Sequence, residues 1–499
     1  MIAPWAREEM ATADLNDKRL NHRLLQVLSD LGERPTASIP AACGGHNETV
    51  AAYRFFDNDK VTYDKVLQPH YTCTRQRVAA QATVLFIQDT TEMDLTRPQQ
   101  QVAGAGPMGH ATRRGAFAHL VEAFTTDGTP LGAVWVDLWA RPDDPATPAQ
   151  KKQKRRVAPI EEKESFRWLE GLRHSRALAQ DVPEVRCVCV GDSEADIYEV
   201  LAEPRGERPV HWLIRAAHAD RAVRPEDPAR VDPEGAAAAG YLREQVVRAP
   251  VLFTKDITVR GRGEPKVRCE KGARYQPRQS RTAAVEVRAA TLTLQPPRRP
   301  DRVLPPVTVN VVLVREVAPP AGDEPVEWLL LTTLPIATSE QVREAIQYYT
   351  VRFLIEVFFR VLKSGCRVEA RRFEALGRLL PSVAVYLIAA WRTLMLCRLG
   401  RSCPDLNCEA VFEPSEWKAV WRVTQQGELP AEPPRLGTIV RLVAQLGGYV
   451  NRPGRKDPPG PQTIWLGLQR MRDLAWAWNT FGPGAAPAAS SAAAGAGDV

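Results

Sequence analysis

The chain has 499 residues, 66 Lys and Arg against 59 Asp and Glu for a formal net charge of +7, and 44% hydrophobic residues. Such a length exceeds one hydrophobic core, so two or three domains are expected. The nine cysteines are scattered, and the closest pairs, Cys187 with Cys189 and Cys403 with Cys408, lack histidines at zinc spacing, so they read as reduced thiols of a cytosolic protein. Positive charge is patchy, with basic runs at Lys151 to Arg156, Arg298-Arg299, Arg371-Arg372 and Arg452 to Lys456; this suits nucleic-acid binding and is also compatible with many enzymes.

From the N-terminus, Arg7, Glu8 and Glu9 stand where a secretory signal would be apolar. Leu15 to Leu31 has helical periodicity between Asp14 and Gly32, the expected caps. Lys18, Arg19, His22 and Arg23 crowd its first turns, where basic residues oppose the helix dipole. Something other than helix stability is expected to favour them: phosphate contact is one candidate, an ordinary charged surface the other.

Thr83 to Ile87 is a short β-rich run leading into Gln88 and Asp89. Ala116 to Thr125 and Leu131 to Trp139 are two further strands joined by Asp127-Gly128, a strong hairpin signal. A helical stretch from Glu161 to Ala179 precedes a strand at Val185 to Val190 that ends in Asp192; a short helix near Ala195 to Ala202 and a strand at Val210 to Arg215 follow. Three antiparallel strands followed by alternating helices and strands is the element order of a ribonuclease H-like fold, so an α/β core with a mixed sheet is expected. Asp89 and Asp192 sit at the ends of their strands in this reading. Two convergent carboxylates can bind a hard divalent ion such as Mg²⁺; singly, each can simply cap a loop.

From Asp220 to Leu334 the chain is rich in Pro, Arg, Val and Thr, and Val251 to Val259, Ala283 to Leu294, Val307 to Val317 and Glu327 to Leu334 read as strands rather than helices. This is a β-rich insertion. After it, Tyr349, Arg352, Glu356, Arg360 and Lys363 fall within a sector of roughly 80° on a helix. Leu354, Ile355, Val357, Phe358, Val361 and Leu362 form the opposite, apolar face. An acid ringed by cations suits a metal ligand beside a phosphate backbone, while a solvated surface gives the same periodicity.

Leu379 to Leu399 is the most apolar helical run, but Pro381, Arg392 and Arg398 make it a buried helix rather than a membrane span. The section from Gly400 to Thr480 carries Trp417, Trp421, Trp465, Trp476 and Trp478, enough to fill a small helical core or a subunit interface, with a Pro/Gly/Arg-rich loop at Asn451 to Pro461. Beyond Phe481 the composition is Ala, Gly, Ser and Pro, with too little to bury.

The spacing Tyr349, two residues, Arg352, three residues, Glu356, six residues, Lys363 resembles the signature of the insertion-sequence-four family of bacterial DDE transposases, to which the transposase of transposon five belongs. The run from Trp5 through Asp17-Lys18-Arg19 and Ser38-Ile39-Pro40 to Ala52-Tyr53-Arg54-Phe55-Phe56 resembles the DNA-binding domain that begins these enzymes.

The resemblance implies a helical DNA-binding domain over 1–70, a ribonuclease H-like catalytic domain over 71–395 with its insertion at about 220–334, a helical dimerisation domain over 396–481 and a low-complexity tail over 482–499. It implies a catalytic triad of Asp89, Asp192 and Glu356 holding two Mg²⁺ ions, with Mn²⁺ able to substitute. Tyr349, Arg352, Arg360, Lys363 and Arg215 would contact DNA near the cleaved bond, and Arg19, Arg23 and Arg54 would bind the transposon end. Trp328 would stack on a flipped base, although a Trp followed by three leucines also reads as a core anchor. The implied function is cut-and-paste transposition by end nicking, hairpin formation and opening, and strand transfer. Its partners are double-stranded transposon ends with terminal inverted repeats, target DNA and a second copy of the chain, in the bacterial cytoplasm at the nucleoid and with no membrane. The alternatives are a ribonuclease H-like nuclease without strand transfer and a catalytically silent DNA-binding transposition inhibitor.

Overall fold

The computed structural model describes residues 2–483 apart from 98, 111, 207–209, 225–239, 260, 262, 264–276 and 451–457. The basic cluster Arg452 to Lys456, most of the loop expected at 451–461, and the tail beyond 483 therefore lie outside the described residues. The chain divides into two compact units: one made of Met1–His70, Arg97–Gly104 and Val357–Val499, the other of Tyr71–Thr96 and Ala105–Glu356.

The chain opens with five helices, α1 (Pro4–Glu9), α2 (Lys18–Glu33), α3 (Ile39–Cys43), α4 (His46–Phe56) and α5 (Tyr63–Ala79). The caps of α2 differ from expectation. Asp17, not Asp14, caps the start by accepting from the Arg19 amide, and Gly32 lies inside the helix rather than ending it. Packing explains this, since a Cβ at Gly32 would come 2.5 Å from the Trp5 ring.

The sheet follows: β1 (Thr83–Asp94), β2 (Gly106–Pro107), β3 (Arg114–Thr125) and β4 (Pro130–Trp139), then α6 (Pro148–Val157) and α7 (Phe166–Asp181), β5 (Arg186–Gly191), α8 (Tyr198–Leu201) and β6 (His211–Arg215). The β3–β4 hairpin turns at Gly128, whose φ of +88° is a conformation that side chains disfavour. Strands β1, β5 and β6 run parallel, and β3 is antiparallel to both β1 and β4. On one face of β1 and its neighbours, Val84, Phe86, Val121, Ala123, Cys187 and Cys189 form a core with Trp168, Leu169 and Leu172 of α7. Each Val, Leu or Phe among them contributes about 1.5–3 kcal/mol on burial.

The segment read as an insertion adds β7 (Ala222–Val223), β8 (Gly240–Tyr241), β9 (Val251–Val259), β10 (Arg281–Leu294), β11 (Val307–Glu316) and β12 (Glu327–Thr332). These strands extend the same sheet. Pairing of Leu330 with Arg215 and Thr332 with Leu213 joins β12 to β6, giving one mixed sheet of twelve strands ordered β2-β3-β1-β5-β6-β12-β11-β10-β7-β8, with β4 on β3 and β9 on β10. The segment also contains a helix, α9 (Leu242–Arg248), against the expectation of strands alone; Leu242 and Val246, a turn apart, are buried and give it its inner face.

The helical stripe expected at 349–363 is not one helix. It is α10 (Ser339–Val351), a break at Arg352, α11 (Phe353–Arg360) and a π-helical turn at Val361–Gly365. At the break the Arg352 amide donates to the Tyr349 carbonyl at 3.2 Å and the Ile355 amide to the Arg352 carbonyl at 3.1 Å, three-residue bonds that tighten the turn; the Cys366 amide reaches back five residues to Val361 at 2.8 Å and widens the next. The inner face keeps Ile355, Phe358, Val361 and Leu362 and adds Phe359, whereas Phe353 is exposed.

The last helices are α12 (Leu376–Ser402), α13 (Pro414–Gln425), α14 (Leu436–Leu446) and α15 (Pro461–Phe481). Helix α12 is long and apolar enough to cross a membrane by length and composition, and 83% of its apolar window is buried in the structure. It packs on α2 and on α14, with a second core around Leu396, Trp417, Val420, Ile439, Val443 and Ile464. Trp417 and Trp465 are buried, whereas Trp476 is exposed and meets Phe481 edge-on.

Candidate active site

Strand register brings two acids together. The parallel pairs of β1 and β5 run from Thr83 with Arg186 to Ile87 with Val190, an offset of 103; two residues further stand Asp89 and 89 + 103 = 192, Asp192. Adjacent strands are about 4.8 Å apart, so these two carboxylates start from neighbouring backbones. Asp89 does not end its strand as expected: β1 continues to Asp94, because it still pairs with β3 after β5 has turned away, and Asp89 lies opposite Leu120. The side-chain period of two puts Gln88 and Thr90 on the other face, where both bond the buried His119 ring. Asp192 directly follows β5 and accepts from the Glu194 amide at 2.8 Å. The chain curls there because Gly191 has no side chain: a Cβ would come 2.5 Å from that of Ala195 and 3.2 Å from the Trp168 ring.

Arg352 supplies the link to the third acid. Its guanidinium donates to Asp89 Oδ2 at 3.4 Å and to Glu356 Oε1 one turn on. Arg352 and Asp89 are mostly buried, with side chains 14% and 13% exposed, while Glu356 is 47% exposed. Burial, then the Asp192 charge, push the Asp89 carboxyl up to about 7, outweighing a bond from the Thr90 amide and the Arg352 charge. Burial and Asp192 likewise raise Glu194, an acid that sequence reasoning passed over although it stands two residues after Asp192. Burial opposes the charge of Arg352, yet Tyr349, Glu356 and Asp89 together hold it above its usual value.

Tyr349 lies beside this cluster. It is buried, unlike the solvent-facing position its stripe implied, because its ring meets Trp328 edge-on at 5.3 Å between centroids. Its hydroxyl has Arg215, Arg352 and Asp192 as electrostatic neighbours, and burial raises its pKa. Arg215 is exposed at the end of β6 and Trp328 is half-buried on β12, so the β6–β12 pairing carries both to the acids.

The remaining candidates belong to the first unit. Arg360 is exposed at the end of α11 and Lys363 is half-buried in the π turn. Arg19 is 91% exposed and paired with Asp17 at 3.2 Å, Arg23 is half-buried, and Arg54 is exposed in the last turn of α4.

Oxygen donors of the kind that ions of the Mg²⁺ class prefer meet at the Arg352 guanidinium, and Asp89 is raised chiefly by burial and next by the Asp192 charge. Among the described residues no three acids, imidazoles or thiols stand close enough together to share an ion, and the cation between Asp89 and Glu356 is the Arg352 guanidinium.

Comparison with known proteins agrees at both ends of the chain. Residues 2–61 match the family model described as transposase DNA-binding, and residues 388–478 match that of the transposase Tn5 dimerisation domain. Among solved structures the chain is similar to a piggyBac transposase in a synaptic complex with hairpin DNA, at 9% identity and a TM-score of 0.31 over 95% of this chain and 81% of that one, a likeness too weak to carry an argument. Its N-terminal and C-terminal regions thus match the DNA-binding and dimerisation domains of Tn5-type transposases, and in these regions the chain resembles the insertion-sequence-four family.

Proposed function

We propose that the chain is a DNA transposase that acts by cut and paste on a ribonuclease H-like core, with Asp89, Asp192 and Glu356 as its DDE triad. The strand order β4-β3-β1-β5-β6, with β1, β5 and β6 parallel, supports the core assignment. The observation that carries the reading is Arg352 bound at once to Asp89 and Glu356, with Asp192, two residues past the last β1–β5 pair, close enough for its charge to raise Asp89.

The three acids would hold two Mg²⁺ ions, with Mn²⁺ as a substitute. Bound there, such ions activate water or a 3′ hydroxyl and stabilise the leaving oxygen of an in-line attack on a phosphodiester. Binding requires Arg352 to release at least one of its two carboxylates, which frees a guanidinium beside the reacting phosphate. With its carboxyl near 7, Asp89 gives up a proton as the cation enters, so metal affinity rises with pH through neutrality. Arg215 and Tyr349 then hold phosphate oxygens of the same strand, and Arg360 and Lys363 bind further along it.

Excision proceeds through first-strand nicking, a hairpin on the transposon end, its reopening and strand transfer into target DNA. Trp328 takes a base flipped from the tight hairpin turn, and stacking worth about 1–3 kcal/mol offsets part of the unstacking. Arg19, Arg23 and Arg54 bind the terminal repeat, two copies pair through the C-terminal domain, and the reaction takes place at the bacterial nucleoid. Cleavage of duplexes bearing the element's own ends, with purified protein and Mg²⁺, tests this reading. Asp192→Asn should abolish cleavage and leave end binding intact; surviving cleavage would show that the triad is wrong.

A further inference from the structure

A cavity of about 560 Å³ opens in the first unit, lined by polar and cationic side chains together with Trp465 and Leu466. Arg360 from the end of α11, Ser364 from the π turn and Arg367 just after it line one side; Thr36, between α2 and α3, and Gln462 and Trp465, from the first turns of α15, line the other. No carboxylate belongs to the lining, and neither guanidinium has an acidic partner among the described residues. The volume lies in the range of ligand sites, roughly 300–1,000 Å³, but such sites are normally walled by apolar groups.

Two features of the backbone maintain this arrangement. Arg367 holds φ +52° and ψ +42°, a left-handed conformation that glycine would take without strain, so an arginine there is retained against its own backbone preference. Behind the wall, the buried Arg371 donates to the carbonyls of Pro35, at 2.8 Å, and of Ala37 and Cys366. It ties the residues flanking Thr36 to those flanking Arg367, and it adds a third positive charge whose partners are all neutral. Trp465 is buried against Gly365, where a Cβ would come 3.0 Å from the indole, so the indole props the π turn rather than offering a face for stacking.

We propose that this cavity binds a phosphodiester group of DNA, held by the forks of Arg360 and Arg367 with Ser364 and Gln462 as neutral donors. The assignment rests on the transposase reading and deepens it. The cavity is walled by Thr36, within the stretch matched as DNA-binding, and by Gln462 and Trp465, within the stretch matched as dimerisation. A phosphate there would bridge the two.

The test is binding of a fluorescently labelled DNA duplex of unrelated sequence by the full chain, measured against salt concentration, with inorganic pyrophosphate titrated calorimetrically in parallel. Arg367→Gly keeps the left-handed backbone and removes the charge. It should raise the Kd for DNA about tenfold and lower the slope of log K against log salt by about 0.9, one phosphate contact. Arg360→Ala should do the same, the double variant should lose about twice that slope, and Arg367→Lys should retain it. An unchanged slope in Arg367→Gly, with an unchanged Tm, overturns the proposal. Wild-type protein that binds pyrophosphate in an Arg367-dependent manner but no duplex overturns both the nucleic-acid assignment and the transposase reading, whereas duplex binding that ignores Arg367 overturns the cavity alone.

Discussion

Two arginines, Arg281 on the sheet and Arg352 at the break between α10 and α11, each stand between two carboxylates, and their surroundings differ sharply. Arg281 on β10 meets Glu316 through two bonds of 3.1 and 2.9 Å and Asp323 at 2.8 Å, and Glu316 accepts a further bond from the Val326 amide. The Arg281 bonds, outweighing burial, hold Glu316 below the usual carboxylate range. Arg352 reaches Asp89 at a single 3.4 Å contact, and Asp89 rises to about 7 because it is buried next to Asp192. In both clusters carboxylates outnumber the guanidinium, but in the first the bonds of Arg281 outweigh burial at Glu316. In the second, burial and then the Asp192 charge outweigh the one long contact to Arg352 and leave Asp89 poorly compensated, a perturbation common at functional sites that ion-pair networks can also produce.

The most forceful way to break this comparison is catalytic. Asp89→Asn or Glu356→Gln should remove several kcal/mol of transition-state stabilisation and cut Mg²⁺-dependent cleavage about a thousandfold in a protein of unchanged circular dichroism; Arg281→Ala, wherever it remains folded, should leave the chemical step alone. Stability should invert the pattern. Arg281→Ala leaves Glu316 without either guanidinium bond and should lower stability in denaturant unfolding more than Arg352→Lys does, and a loss within error of zero would mean the two clusters are not different in kind.

The pH dependence is the next effect in size. Asp89 has a folded pKa above its unfolded value, so its contribution is fully present below about pH 4 and is lost as pH rises through about 7. In metal-free protein, Asp89→Asn should therefore gain on the order of 2 kcal/mol over wild type between about pH 5 and pH 8. Glu416, also raised to about 7 by burial and Glu33, contributes with the same sign in both proteins and cancels in the difference. Thermal melts in a pH series would show this, and parallel curves for the two proteins would remove the claim of a poorly compensated Asp89. The smallest effect is Arg352→Lys: about tenfold slower cleavage, since an ammonium cannot span two carboxylates as the guanidinium fork does, with stability within about 0.5 kcal/mol. Cleavage at the wild-type rate would show that bridging is dispensable.

Much of the sheet was legible because strand period and turn chemistry are local. Asp127-Gly128 specified its hairpin, and the run Val251 to Val259 is a strand with those same ends. Caps were less legible: Asp14 and Asp17 are both capping residues three positions apart, and only packing of Gly32 on Trp5 places the helix. The stripe from Tyr349 to Lys363 misled in a specific way, because periodicity assumes uniform winding, while three-residue bonds at Arg352 and a five-residue bond at Cys366 alter it and turn Tyr349 inward to Trp328. Glu194 went unnoticed because an acid two residues after a strand has no periodic signature.

The amino-acid order alone settled where the basic runs fall, which acids are candidates and, α9 and the break at Arg352 apart, most of the strands and helices, since these depend on side-chain period, propensity and short-range spacing. The tertiary structure decided what no window of sequence contains. An offset of 103 residues sets Asp89 level with Asp192, the pairing of β6 with β12 delivers Arg215 and Trp328 to the same corner, and burial, which only the completed sheet provides, turns an ordinary aspartate into one that titrates near neutrality.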